Sequence, residues 1–297
     1  MTKGKIKILL TGANGQLGSE FQYFAQNDTV YEWLFVDRIN LDITDQEAVN
    51  QIFDKYQPNI CINCAAYTAV DKAESDQKTA FLINETAVLN ISEACAQHNC
   101  LLIHYSTDYV YDPISNHPLK ETDACAPKSI YGKSKLQGEQ KIINSNLKDY
   151  IILRTSWVYG RYGHNFFKTM LRFCSENKHL NVVYDQIGSP TYTKDIVSTT
   201  INIIDLHIKK PELDISGIYN YSNEGVCSWY DFAQIIYNSM NSNIELTPIL
   251  TLEYPTPAPR PHFSVMDKSK TKKMFNISIP HWQQSLMQCI ITLNQEQ

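Results

Sequence analysis

Nowhere in this 297-residue chain does an apolar run approach the ~20 residues of a membrane span, so no membrane partner is expected. Basic charge is short as well: 26 Lys and Arg against 31 Asp and Glu leave a formal net charge of −5. That balance argues against a nucleic-acid or anionic-membrane partner found by bulk electrostatics, and leaves room for a local basic pocket that takes a phosphate. There is no internal repeat and no low-complexity linker. Residues Met1 to Lys5 lead directly into a short apolar strand, and no signal peptide is expected. Zinc spacing is lacking too. The eight cysteines are scattered, and the one C-x-x-C pair, Cys61 with Cys64, lies in an apolar stretch that reads as a strand. Alternation there points the two thiols to opposite faces. The cysteines therefore read as buried and reduced in a cytoplasmic protein.

What is present is an ordinary soluble composition, 19% charged and 43% hydrophobic, long enough for one large unit or two interlocked domains. Apolar runs at Lys5–Leu10, Trp33–Val36, Asn59–Asn63, Leu101–Tyr105 and Tyr150–Arg154 read as strands. Amphipathic runs at Gln16–Ala25, Asp45–Lys55, Gln77–Gln97 and Ile130–Ile143 read as the helices between them. That alternation predicts an α/β fold with a doubly wound parallel sheet, a Rossmann architecture that binds ligands at the carboxyl ends of its strands. After Arg154 the pattern loosens. Helices are expected at Asn165–Glu176, Lys194–His207 and Ser228–Met240, and strands at Leu180–Val183 and Gly217–Tyr221. The proline-rich segment Tyr254–Pro261 is excluded from a helix interior. The expected division is a dinucleotide-binding domain over 1–156 and a smaller, mainly substrate-binding domain over 157–297. Segments near 180–210 and 217–222 are expected to return to the first domain's sheet.

Gly12, Gly15 and Gly18 follow the first strand and open the first helix with G-x-x-G-x-x-G spacing. A glycine there permits the tight turn, and another lets the backbone approach a pyrophosphate capping the helix. A plain strand–turn–helix connection is the alternative. Asp37 and Arg38 end the second strand. The acid favours the ribose hydroxyls of NAD and the guanidinium a 2′-phosphate, so the two point to different cofactors; a mere surface pair is the alternative. Asp42 and Ile43 are placed to reach an adenine edge. Small residues in Asn63-Cys64-Ala65-Ala66-Tyr67 let a cofactor lie against the third strand, or simply pack closely. Ser106, Thr107 and Asp108 follow the fourth strand, where a hydroxyl can bond a substrate oxygen or merely cap a turn. Tyr131 and Lys135, four apart on one helix face, form the chemical pair. An ammonium beside the phenol is expected to pull its pKa from ~10 toward neutrality. Alone, this spacing arises often by chance.

Taken in order, the glycine turn, the hydroxyl and the Tyr/Lys pair make the chain resemble the extended short-chain dehydrogenase/reductase family. The likeness runs through Gly15–Gly18, Ala69–Glu74, His104–Tyr111, Tyr131–Lys135, Arg154–Tyr159, Asp185–Thr191 and Tyr254–Pro261. Ala69–Glu74, Arg154–Tyr159 and Tyr254–Pro261 are the more specific stretches, and they resemble the branch that reduces keto sugars carried on dTDP. The resemblance implies reduction of dTDP-4-dehydro-L-rhamnose to dTDP-L-rhamnose with NADPH or NADH, for surface polysaccharide and O-antigen synthesis. It implies that Tyr131 is the acid, that Lys135 tunes it and holds the nicotinamide ribose, and that Thr107 polarises the carbonyl. The implied cofactor set is Gly12, Asn14, Gly15, Gln16, Leu17, Asp37, Arg38, Asp42, Ile43, Ala65, Ala66, Tyr67, Thr68, Tyr131 and Lys135. The implied substrate set is Thr107, Asp108, Tyr131, Trp157 and Arg260, the last a candidate clamp for the diphosphate. Family members often dimerise, some through glutamates and a divalent metal. Lys194 stands here at the corresponding acidic position, which argues against Mg2+ at an interface while leaving a homodimer as an expectation. The loop from Pro113 to Pro127 is expected near the substrate entrance. Two rivals share the scaffold. A dehydratase would want a second carboxylate after Asp108, where Tyr109 stands, and a binding-only regulatory relative would not need Thr107, Tyr131 and Lys135.

Overall fold

Three fully buried hydrophobic residues in succession, Ile8, Leu9 and Leu10, set the centre of the protein, because a parallel strand is covered on both faces and tolerates no polar alternation. The computed structural model describes residues 5–111, 117–176, 179–240 and 244–295. Chain order begins with β1 (Ile6–Thr11), α1 (Gln16–Ala25), β2 (Tyr31–Val36), α2 (Gln46–Tyr56) and β3 (Ile60–Asn63). It continues with α3 (Val70–Ala73), α4 (Gln77–Phe81), a π-helical turn at Leu82–Thr86, α5 (Ala87–Gln97), β4 (Leu101–Thr107), α6 (Ile130–Ile143) and β5 (Tyr150–Thr155). Next come β6 (Val158–Tyr159), α7 (Phe166–Glu176), β7 (His179–Val183), β8 (Ile187–Gly188), β9 (Thr191–Tyr192) and α8 (Thr193–Lys209). β10 (Gly217–Tyr221), β11 (Cys227–Ser228), α9 (Trp229–Ser239), β12 (Glu245–Ile249), α10 (Ser269–Phe275) and α11 (Trp282–Gln295) complete the chain.

Six strands form a parallel sheet in the order β10-β5-β4-β3-β1-β2. The connection from β1 runs to β2 on one side, and the next strand, β3, lies on the other. That reversal opens a crevice beyond the carboxyl ends of β1 and β3. Alternation along each strand feeds two cores. Ile8, Leu10, Ile62 and Ile103 pack with α1, α8 and α10 on one face. Leu9, Cys61, Leu102 and Ile152 pack with α2, α5 and α6 on the other. Cys61 and Cys64 fall on opposite sides, as strand alternation requires.

The expected single helix over 77–97 is broken by the π turn at Leu82–Thr86. A π turn inserts one extra residue per turn and re-aims its side chains. Here Asn84 turns inward, accepting from Tyr67 N at 2.8 Å and donating to Tyr67 O and Ser134 Oγ, each at 3.0 Å. Gly138 of α6 makes this approach possible, since a Cβ there would lie 2.1 Å from the Asn84 carbonyl oxygen.

β10 joins the main sheet beside β5, with Gly217 opposite Ile151. The strand expected at 180–183 does not return to that sheet. β7 pairs with β12 in parallel, His179 opposite Glu245, because its partners lie in the second half and its residues face a separate core. α8 covers the main sheet from one face without adding a strand. The separate core gathers Tyr159, Phe167, Tyr192, Phe232, Tyr237, Trp282 and Leu286. Two buried ion pairs tie elements together. Arg161 donates to Glu20 at 3.2 Å, whose other oxygen accepts from Thr193 at 3.0 Å, joining α1 to the second half. Arg154 grips Glu139 with two bonds of 2.9 and 2.6 Å, and Ser106 donates to the same carboxylate.

Removing one member of such a buried pair strands the other charge. Arg154→Met is expected to lower unfolding free energy by ~3–5 kcal/mol. The double variant Glu139→Leu/Arg154→Met is expected to recover most of that loss in urea melts.

Candidate active site

The glycine turn builds its cradle by close approach. Gly12 has φ +72°, and a Cβ there would lie 2.5 Å from the backbone nitrogen of Ala65, so β1 and the segment after β3 touch backbone to backbone. No side chain caps α1 at Gly15. The first-turn N–H groups are thus left for an anion at the helix N-terminus. A cavity of about 370 Å3 opens there, lined by Gly12, Asn14, Gly15, Asp37, Arg38, Asp42, Ile43, Ala65 and Ala66. The pyrophosphate of a dinucleotide fits this chemistry.

Most of the cofactor set expected from the sequence therefore lines one cavity, and Gln16, Leu17, Tyr67, Thr68, Tyr131 and Lys135 do not. The Gln16 side chain faces the second half, donating to Val158 O at 3.1 Å and accepting from Asn165 at 2.6 Å, so only its backbone belongs to the cradle. Leu17 packs into the core beside the sheet. Thr68 is exposed, and Tyr67 is held by Asn84 and donates to Asp76 at 3.2 Å. Asp37 accepts from Asn14 and from the N–H groups of Ile39 and Asn40, while Arg38 stands exposed at the rim. Asp42 is held below the usual carboxylate range by the Thr44 hydroxyl and N–H. Thr79, Leu82 and Ile83 also line the cavity. No sequence signal marked them, since α4 and the π turn that carry them read as one continuous helix in the pattern.

Thr107 ends β4, and Ser129 caps α6 by accepting from Gly132 N at 3.0 Å, which sets Tyr131 in the first turn. Ile130 N donates to Glu74 at 2.8 Å, so the Ala69–Glu74 stretch also fixes this helix end. Burial pushes the Tyr131 phenol up to about 12, a hydrogen bond with Thr107 opposes that rise, and the Asp108 charge adds to it. The expected pull toward neutrality is not found. Lys135 Nζ instead meets His104 Nε2 at 3.1 Å and donates to Tyr105 O at 2.6 Å, both on β4. Burial lowers the Lys135 ammonium to about 8, against the pull of Glu139. The phenol is thus a retained proton, suited to an acid.

Asp108 is buried and its carboxyl is lifted to about 6 by that burial, with hydrogen bonding opposing. Its Oδ1 accepts from Thr107 at 3.0 Å, and the buried Ser264 hydroxyl is a further hydrogen-bonding neighbour of the carboxyl. Tyr109 stands edge-on to Tyr131 with ring centroids 5.6 Å apart. It also borders a second cavity, of about 440 Å3, whose wall includes Trp157, Phe166, Trp229, Tyr254 and Arg260. Trp157 is held at φ +47°, a costly conformation for a bulky residue. Gly188 makes room for it, since a Cβ there would sit 2.6 Å from the indole. Its ring stacks on Trp229 at 3.6 Å and 8°. Trp229 was not legible as a site residue, because it reads as the first turn of an amphipathic helix behind the Ser228 cap.

Arg260 borders this cavity with its fork already matched. It donates to both oxygens of Asp71, at 2.9 and 2.7 Å, and to Ala258 O at 2.9 Å. A diphosphate would meet this guanidinium beside Asp71 or in exchange with it, not as a free clamp. Residues 113–116 of the loop expected near the substrate entrance lie outside the described residues.

Comparison with known proteins follows the same lines. The family described as RmlD substrate binding domain matches residues 6–295. A dTDP-4-dehydrorhamnose reductase of Aggregatibacter actinomycetemcomitans is 42% identical over 286 residues, covering 94% of this chain and 97% of that protein. The crystal structure of a dTDP-4-dehydrorhamnose reductase from Clostridium acetobutylicum superposes with a TM-score of 0.91 at 39% identity, over 97% of this chain and 99% of that one. That of the Bacillus anthracis reductase in complex with NADP gives 0.90 at 36% identity, over 97% and 100%.

The raised carboxyl of Asp108 has a consequence for stability. Its native pKa of about 6 exceeds the ordinary 3.8, so the native state binds more protons between those values. Stability therefore falls as pH rises through that window, by on the order of 3 kcal/mol. Asp108→Asn is expected to raise the melting temperature at neutral pH, and the gain is expected to vanish below pH 3.8. Scanning calorimetry at both pH values checks this.

Proposed function

This chain belongs to the RmlD substrate-binding-domain family, and from that membership we propose that it is an NAD(P)H-dependent oxidoreductase that reduces dTDP-4-dehydro-L-rhamnose to dTDP-L-rhamnose. The reaction belongs to rhamnose biosynthesis. One observation carries the reading: a half-buried phenol, Tyr131, hydrogen-bonded with Thr107 and standing edge-on to Tyr109, which borders the aromatic cavity.

The roles of the residues follow from chemistry. Gly12, Asn14 and Gly15, with the first-turn amides of Gln16 and Leu17, hold the pyrophosphate. Asp37, Arg38, Asp42 and Ile43 bound the adenosine end, and Ala65, Ala66, Tyr67 and Thr68 line the path toward the nicotinamide. Since Asp37 suits ribose hydroxyls and Arg38 a 2′-phosphate, either dinucleotide is accommodated. When bound, the dinucleotide supplies the hydride to C4 of the sugar. Tyr131 supplies the proton to the carbonyl oxygen, and its high pKa keeps that proton available throughout the neutral range. Thr107 hydrogen-bonds the same oxygen, and Lys135 holds the nicotinamide ribose. Asp108 offers a carboxyl oxygen to a sugar hydroxyl. Trp157 gives the nucleotide sugar an aromatic wall, and Arg260 meets the diphosphate from its Asp71 seat.

The same reading divides the chain near residue 156 into a dinucleotide-binding part and a substrate-binding part, with β10 lent back to the first. No helix among the described residues is long and apolar enough to cross a membrane, and we place the enzyme in the cytoplasm as a homodimer. Lys194 stands where metal-bridged relatives carry an acid, so the reading uses no Mg2+ at the interface.

Tyr131→Phe is expected to cut turnover by ~10²–10⁴-fold, the usual worth of general acid catalysis, while dinucleotide binding is kept. Loss of nicotinamide absorbance with dTDP-4-keto sugar made in situ measures the first, and calorimetric titration the second. Full turnover in this variant would remove Tyr131 from the acid's role, and no oxidation of either dinucleotide by the native chain would remove the enzyme assignment.

A further inference from the structure

The guanidinium of Arg260 carries its N–H donors in a fixed plane, two on each Nη and one on Nε. Nη1 uses both of its hydrogens, donating to Asp71 Oδ1 at 2.9 Å and to Ala258 O at 2.9 Å. Nη2 uses one, donating to Asp71 Oδ2 at 2.7 Å. The Nε hydrogen and the second Nη2 hydrogen make no hydrogen bond among the described residues. These two lie side by side on the other edge of the plane. That edge is a complete fork for two oxygens of one phosphate. Arg260 borders the aromatic cavity of about 440 Å3.

The edge that faces Asp71 is fixed from several sides. Asp71 Oδ1 also accepts from Ala258 N at 3.1 Å, and Thr256 Oγ1 donates to Ala258 O at 3.0 Å. Ala258 is fully buried. Pro257, Pro259 and Pro261 lock φ at alternate positions and disfavour helical backbone at Ala258 and Arg260. Asp71 lies on α3, three residues before Glu74, which accepts from Ile130 N at 2.8 Å at the start of the helix that carries Tyr131. One short stretch thus holds both the guanidinium and the acid's helix. The Asp71 side chain is 43% exposed and that of Arg260 20%, so the pair adds little to stability. What it supplies is orientation.

We propose that Asp71 is a positioning residue: it holds Arg260 by the Nη1–Nη2 edge, so that the Nε–Nη2 edge meets one phosphate of a nucleoside diphosphate in the aromatic cavity. The diphosphate joins the ion pair and does not displace Asp71. Carboxylate and phosphate then occupy two edges of one guanidinium, and all of its donors are matched. Two effects of Asp71 oppose each other. Its charge repels the phosphate, which salt screens. Its fork spares the cost of ordering a long side chain on binding, worth ~2–10-fold in affinity. The inference rests on the reading that the substrate is a nucleoside diphosphate sugar.

The test titrates the full chain with dTDP by calorimetry at ~0.5 M salt, where repulsion from Asp71 is largely screened. Asp71→Asn keeps the size of the side chain and turns an NH2 toward the guanidinium. It is expected to weaken dTDP binding by ~5-fold. In an Arg260→Ala background the same change is expected to do nothing, because the residue it acts through is gone. Dinucleotide affinity is expected to stay as in the native chain. Unchanged or tighter dTDP binding in Asp71→Asn overturns the proposal, as does an equal loss in the Arg260→Ala background or in dinucleotide affinity. If Asp71→Asn does not fold, 1H–15N spectra of the native chain labelled in arginine decide. The Arg260 Nε–H signal, identified by its loss in Arg260→Ala, is expected to move downfield with dTDP, and an unmoved signal overturns the proposal. Failure of the native chain to bind dTDP at all would remove the substrate reading itself, a result distinct from each of these.

Discussion

The salt bridge between Glu139 and Arg154 is the interaction on which the site's geometry hangs. Glu139 lies on α6, the helix that carries Tyr131 and Lys135, and Arg154 lies on β5. Ser106, which donates to the same carboxylate, precedes Thr107 on β4. Helix and strands are thereby locked in register, and Tyr131 is held beside Thr107. The bridge costs desolvation, as any buried pair does. What it returns is a fixed helix azimuth, which apolar packing alone would leave softer. Gly132 and Gly138 let α6 lie close against Tyr109 and Asn84.

A second set of bonds brings the substrate side to the dinucleotide side. Gln16, at the start of α1, is tied to Val158 and Asn165, and Glu20, one turn later, to Arg161 and Thr193. The helix that presents its N-terminus to a pyrophosphate is thus anchored by the half that borders the aromatic cavity. Asp71 and Arg260 make the matching link from the other side, joining the Ala69–Glu74 stretch to the proline-rich segment. Two of the three stretches that looked most family-specific turn out to be partners of each other.

Electrostatics then divides the labour. The phenol is raised by burial and the lysine lowered by it, so the phenol is not drawn toward neutrality as the spacing suggests. A Tyr and a Lys four apart share a helix face, but which groups meet their ends is decided by the strand beneath. That strand supplies His104 and the Tyr105 carbonyl, which take Lys135 away from the phenol.

The alternation of apolar runs determined the sheet, and the three glycines determined the cradle, because both depend on neighbours in sequence. The Tyr/Lys pair and Thr107 were legible for the same reason: each stands at a strand end or helix start that local pattern locates. The pairing of β7 with β12, the π turn that buries Asn84, the stack of Trp157 on Trp229 and the occupied fork of Arg260 were not. Each joins or redirects residues through contacts distant in sequence, where no local periodicity reports them. The protonation of the site belongs with these. It is set by how deeply Tyr131, Lys135 and Asp108 are buried and by which donors face them, and only the tertiary structure decides that.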